Sequence, residues 1–143
     1  MEKHTNYKIE QIVSYIAEKL DCSQKLIASY TSLNESTISA NLNKEIEVVG
    51  NKKAGRRLLA LYLAIHQVEG QGSEAIKEAL NEFVYEDLDG NFDSVVSAIG
   101  TDKYQPSVIA NIASIGMQKY KEKMSLRGQG LFEAVKSVVA SSY

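Results

Sequence analysis

A single cysteine, Cys22, leaves this chain without an internal disulfide framework and without a cysteine-based zinc cluster. Its simplest role is that of a small residue near a helix start. The two histidines, His4 and His66, are isolated, and no His-x-x-x-His or Glu-x-x-His pair exists, which removes the common metal spacings. No phosphate-cradling glycine loop, nucleophile elbow or acid and base pair can be picked out, so neither an enzyme nor a cofactor is expected. Long apolar runs are missing too: none approaches the roughly 20 residues that span a bilayer. The start, MEKHTNYKIEQ, has no apolar core and no small-residue cleavage pattern. The expected location is therefore the cytoplasm, with no membrane partner. Pro106 is the only proline, and strand-like alternation and repeats of fixed period are absent, which predicts an all-α fold. Excess positive charge is also lacking, since the net charge is -2.

What is present is the composition of an ordinary globular protein, 44% hydrophobic and 24% charged over 143 residues, enough to bury a core. Charge is unevenly spread. Residues 1–69 hold nine Lys and Arg against eight Asp and Glu, a net of +1, and residues 70–143 hold seven against ten, a net of -3. This permits the front half to meet nucleic acid without requiring it. Ile9, Ile12, Val13, Ile16 and Leu20 form one apolar stripe at helical spacing. Asp21 or Ser23 is then placed to cap a second helix, with Gln24 three residues after Asp21 in capping-box fashion. The segment KEIEVVGNKKAG reads as a loop with room for a two-residue strand at Val48-Val49. RRLLALYLAIHQV is apolar nearly all round, which predicts a helix packed on several sides, at the core or a dimer contact.

Gly70 and Gly72 mark a hinge, dividing a head of residues 1–69 from a helical region of residues 70–143. After Ser73, a candidate N-cap, Ile76, Ala79, Leu80, Phe83 and Val84 predict another amphipathic helix. Asp87 and Asp89 before Gly90 resemble part of a calcium loop. That register puts Tyr85 first and Val96 twelfth, where acidic ligands are required, so an acidic turn with Asp89 or Asn91 as helix cap is expected instead. Phe92, Val95, Val96 and Ile99 predict a short helix stopped by Gly100. Pro106 suits the first turn of a longer one carrying Val108, Ile109, Ile112, Ile115 and Tyr120. A final helix holds Leu131, Phe132, Val135, Val138 and Val139. The cations Lys119, Lys121, Lys123 and Arg127 between them are read as favourable charge at a helix C-terminus, with a second phosphate-contact patch as the alternative.

Residues 24–43, QKLIASYTSLNESTISANLN, carry the one pattern that points toward a function. They predict two short helices about a turn at Ser32-Leu33-Asn34, with Leu26, Ile27 and small Ala28 on the first helix and Leu33 turned inward. Ile38 and Leu42 form an i, i+4 pair on the second. Glu35, Ser36, Ser39 and Asn43 are left on the outer face. With Ser23 and Asn43 as its edges, this segment resembles the helix-turn-helix of the lambda-repressor and Cro-like regulators, the Xre type. The likeness rests on Gln24, Ala28, Leu33 and E-S-T-I-S at 35–39. It is specific over residues 23–43 and architectural over 1–69, where the family implies a five-helix head. Two positions depart from the family pattern. Ser32 stands where glycine is usual, at a left-handed cost on the order of 1 kcal/mol, and Asn41 stands where an apolar side chain is usual.

The resemblance implies a sequence-specific DNA-binding regulator, of the phage or mobile-element repressor or antitoxin kind, whose helix at 34–43 enters the major groove. Glu35, Ser36 and Ser39 would face base edges, with Ala40 near a thymine methyl and Glu35 able to accept from a cytosine amino group, and Asn34 and Thr37 would belong to the same DNA-binding surface. Gln24, Lys25, Asn43 and Lys44 would meet phosphates or groove edges. Hydroxyls read bases permissively, so specificity would lean on DNA shape. No Lys or Arg lies between Asn34 and Asn43, and the expected source of phosphate contacts is Lys52, Lys53, Arg56 and Arg57. A homodimer on double-stranded DNA is expected, because one head offers few base contacts, with residues 70–143 dimerising or binding a protein partner. The alternative is a protein-interaction or inhibitor module of the same fold that does not bind DNA.

Overall fold

Ile9, Ile12, Val13, Ile16 and Leu20 line one side of helix α1 (Ile9–Leu20) and are all buried, as their spacing predicts. The computed structural model to which this helix belongs describes residues 8–46, 52–86 and 92–141. His4, the expected strand at Val48-Val49, the acidic turn at Asp87 and Asp89, and Asn91 as a cap lie outside the described residues. So do the side chains of Arg127, Leu131, Phe132, Val135, Val138 and Val139. After α1 come α2 (Gln24–Thr31), α3 (Glu35–Asn41), α4 (Lys53–Gln67) and α5 (Ser73–Asn81). A two-residue antiparallel pairing of β1 (Tyr85–Glu86) with β2 (Phe92–Asp93) follows, then α6 (Val95–Thr101) and α7 (Pro106–Ser141). The fold is all-α, with that short pairing as an ornament. Up to residue 69 the described residues hold four helices, where a five-helix head is expected.

Helix α4 is the axis of the core. Leu58, Ala60, Leu61, Tyr62, Ala64 and Ile65 are buried around most of its circumference, against α1 on one side and α7 on another. Ile76, Leu80, Val95, Ile99, Ile109, Ile112 and Ala113 belong to the same apolar cluster as Ile12, Ile16 and Leu58. Residue 69 thus falls at a chain reversal, completed by Gly70 with φ 100°, and residues on both sides of it fill one core. At the rim, Tyr15 donates its hydroxyl proton to Glu69 and packs edge-on against Tyr62, with ring centroids 4.9 Å apart. His66, half exposed, stacks on Tyr15 at 6.0 Å. Burial and the Glu69 carboxylate push the Tyr15 phenol up, which keeps it a donor tying α1 to the end of α4.

Several boundaries differ from the sequence reading, each for a local reason. Asp21 does not cap α2. It closes α1 in the left-handed region at φ 50°, a conformation that a short polar residue tolerates, and Ser23 occupies the α2 N-cap position. Gly72, not Ser73, takes the N-cap of α5. That helix stops at Asn81, whose side-chain amide donates to the Lys77 carbonyl oxygen at 2.8 Å and to the Tyr30 hydroxyl at 2.9 Å. The extended chain beyond it leaves Phe83 65% exposed instead of on an apolar helical face. Phe92 lies in β2, and Ser94 caps α6 by accepting from the Ser97 amide at 3.1 Å. Gly100 does not end α6, which runs one residue further to the left-handed Asp102. The two helices expected after Pro106 are one helix of 36 residues. Lys119 to Leu126 are nearly all strong helix formers that carry it through. Lys123 is therefore mid-helix, and its ammonium meets Glu82 at 2.9 Å instead of a helix end.

Gly116, not Ile115, marks where α7 meets α5. A Cβ at Gly116 would stand 2.5 Å from the Ala79 carbonyl oxygen, closer than any carbon can sit. Ile115 is 39% exposed, while Met117 is buried. Gly116→Ala should therefore force the two helices apart and destabilise by about 1 to 3 kcal/mol, despite alanine's better helix propensity. Urea unfolding checks this, and a variant as stable as the parent would contradict the close approach.

Candidate functional site

Three sets of interactions hold α3, a helix of seven residues, in place. Its inner side is the apolar Ile38, fully buried, and small Ala28 of α2 is 6% exposed. Leu33 and Leu42 pack partly buried at either end. At its start, Gln24 Nε2 donates to the Glu35 carbonyl oxygen at 3.3 Å and to Ser39 Oγ at 2.9 Å. At its end, the Leu42 and Lys44 carbonyls accept the Glu10 and Ile9 amides of α1 at 2.9 and 2.8 Å. Two N–H groups that open α1 without an intrahelical partner are thus satisfied by the chain leaving α3. Asn41, the departure from an apolar residue, turns its amide back to the Thr37 carbonyl oxygen at 2.7 Å.

The turn before α3 is fixed from behind by Arg57. Ser32 adopts φ 55° and ψ 39°, the left-handed conformation expected where glycine is usual, and closes α2. Arg57 is 6% exposed, and all five of its N–H groups have acceptors. Nη1 donates to the Thr31 and Ser32 carbonyl oxygens at 3.1 and 3.0 Å. Nε and Nη2 grip the Asp102 carboxylate at 3.0 and 2.7 Å, and Nη2 also reaches the Gly100 carbonyl oxygen at 3.0 Å. One guanidinium therefore sits at the C-termini of both α2 and α6, where the helix dipoles favour a cation. The approach is tight, since a Cβ on Gly100 would come within 3.0 Å of Ser32 Oγ.

Arg57 is accordingly a correction: it was expected at a phosphate, and it is buried with no donor to spare. Gln24, half-buried, gives the protons of its side-chain amide to α3. Arg56 is half-buried and donates from Nη2 to the Tyr104 carbonyl oxygen at 3.0 Å. Lys52 and Lys53 are exposed at the start of α4. Lys53 and Arg56 lie near enough to Asp102 for their charges to help lower its pKa, so part of that cluster's positive field is neutralised. Lys25, Asn34, Glu35, Ser36, Ser39, Ala40, Asn43 and Lys44 are exposed, and Thr37 is half-buried. The outer side of α3 is thus short, polar side chains and one carboxylate, with Lys25 and Lys44 the exposed cations nearest to it along the chain.

Hydrogen bonding from Arg57, opposed by burial and aided by its charge, holds the Asp102 carboxyl below the usual aspartate range. A carboxyl with a folded-state pKa below its unfolded value of about 3.9 stabilises the fold above that value, and the contribution is lost as pH falls through the folded pKa. Asp102→Asn should therefore be less stable than the parent at neutral pH, with the gap narrowing under acid below about pH 4. Urea midpoints for the two chains between neutrality and acid test this, and a gap that is constant or widens under acid would contradict it.

No group of His, Cys, Asp and Glu side chains able to hold a metal ion occurs among the described residues. Burial pushes the half-buried Cys22 thiol up, away from the reactive thiolate. Among the described residues no helix is long and apolar enough to cross a membrane. No protein-family model, curated protein or solved structure matches the chain.

Proposed function

We propose that this chain is a sequence-specific DNA-binding regulator that reads the major groove with α3, working as a repressor-like or antitoxin-like homodimer. The observation that carries this reading is the contrast between the two sides of α3. Its inner side is fixed at start, turn and end by Gln24, Arg57 and the first amides of α1. Its outer side is uncovered polar surface of side chains small enough to approach base edges. A helix of seven residues has little stability of its own, so such support serves to present the outer face in one orientation. Phosphate contacts are assigned to Lys25, Lys44, Lys52 and Lys53, with Asn43 at the groove edge. A second copy is assigned to residues 70–143, where Met124 and Leu126 of α7 are 43% and 66% exposed.

The burial of Arg57 and the engagement of Arg56 favour one other reading, a protein-interaction or inhibitor module of the same architecture. A mobility-shift titration against genomic fragments at several salt concentrations separates the two. A regulator retains some fragments over others and shows a negative log-log salt slope. A folded protein that shifts no fragment even at low salt overturns the DNA reading.

A further inference from the structure

Ser32 holds a backbone conformation, φ 55° and ψ 39°, that a residue with a Cβ resists, and the seven-residue α3 begins three positions later. So short a helix does not set its own direction, and the turn needs support from outside. The Thr31 and Ser32 carbonyl oxygens accept from Arg57 Nη1. Because a guanidinium is planar, whatever grips Nε and Nη2 fixes the direction in which Nη1 points. Those groups are the Asp102 carboxylate and the Gly100 carbonyl oxygen, 45 and 43 residues further along the chain at the end of α6. The end of α6 is itself tied down. The buried Asp93 carboxylate accepts the Tyr104 hydroxyl at 2.8 Å and the Ser97 hydroxyl at 3.2 Å, and Arg56 donates to the Tyr104 carbonyl oxygen at 3.0 Å.

We propose that Asp102 is a positioning residue for base reading: acting through Arg57, it holds the left-handed turn that sets the direction of α3. This rests on the DNA reading proposed above and deepens it, since the selectivity of a helix in residues 1–69 then depends on a carboxylate in residues 70–143. Charge alone gives the opposite expectation. Asp102 is an anion beside the cations Lys53 and Arg56, so removing its charge would strengthen the pull of that cluster on phosphate. The sign of the effect on affinity therefore separates positioning from electrostatics.

The test uses two variants of the full-length chain. Asp102→Asn keeps the shape of the side chain and the tolerance for the left-handed φ of 58°, and replaces one oxygen of the grip with an amide that cannot accept. Asp102→Gly suits the same backbone and removes both oxygens. Affinities are measured for a duplex that the parent selects from a random library and for a scrambled duplex of the same composition, each at several salt concentrations. Circular dichroism establishes that the variants are folded at the assay temperature. Asp102→Asn should weaken binding to the selected duplex about three- to tenfold, the worth of one hydrogen bond, and Asp102→Gly should weaken it more. Binding to the scrambled duplex should hold or tighten, and the salt slope should not fall, because the phosphate contacts remain. A loss of stability alone would leave the selectivity of the folded chain unmoved. Folded variants that bind the selected duplex as tightly as the parent or more tightly, or that weaken on both duplexes alike, would overturn the proposal and leave the DNA reading standing. A parent that selects no sequence at all overturns both.

Discussion

Arg57→Leu should lower the free energy of unfolding by about 3 to 5 kcal/mol, the largest loss expected from any polar side chain of this fold. Leucine fills part of the space but leaves the Thr31, Ser32 and Gly100 carbonyls without their donor and Asp102 without its cation. Each stranded carbonyl costs on the order of 1 kcal/mol or more where water cannot reach it. Arg57→Lys should recover only part of this, because an ammonium on a flexible stem cannot satisfy four separate groups in the geometry of the guanidinium. Asp102→Asn should be the mildest of the three, since the Asp102 side chain is 40% exposed and water takes over much of its interaction. Guanidinium chloride or urea unfolding ranks them. A leucine variant within about 1 kcal/mol of the parent would mean that the turn and α6 are held by packing and not by the guanidinium.

The second large effect is functional. Ser36→Glu combined with Ser39→Glu should reduce affinity for a selected duplex about a hundredfold, roughly 1.4 kcal/mol for each donor replaced by a charge that repels phosphate. Both positions are exposed, so the fold should be retained and the unfolding midpoint should stay close to that of the parent. Fluorescence anisotropy at fixed salt gives the affinity, and circular dichroism verifies the fold. Unchanged affinity in a folded variant would remove the outer side of α3 from the interface.

How far these residues could be read beforehand depended on range. The stripe from Ile9 to Leu20, the pair of helices about Ser32 and the burial of Ile38 are short-range patterns, and periodicity of one face is enough to place them. The left-handed Ser32 was legible only through the family resemblance, which places glycine at that turn position. Arg57 was misread because its partners are far away in sequence, Asp102 by 45 residues and Gly100 by 43. One signal was nevertheless available: Arg57 shares a face with Leu61 and Ile65 at i, i+4 and i+8, and a charged residue in an apolar stripe must be paired inside. Gln24 was placed correctly at the head of α2, but its direction depends on how closely α3 crosses, which no local pattern encodes. The hairpin at Phe92 escaped because two residues of pairing leave no period to detect. The unbroken α7 escaped because a run of charged helix formers looks the same as a loop when only apolar spacing is followed.

Backbone amide shift mapping of the full-length chain, titrated with a duplex it selects, tests most directly which surface does the work. Reading by α3 requires the perturbed amides to be those of residues 34–40, together with Lys25, Asn43, Lys44, Lys52 and Lys53, while the surface around His66 and Glu69 stays unchanged. Perturbations confined to α5 and α7, or none at all at saturating duplex, would contradict it.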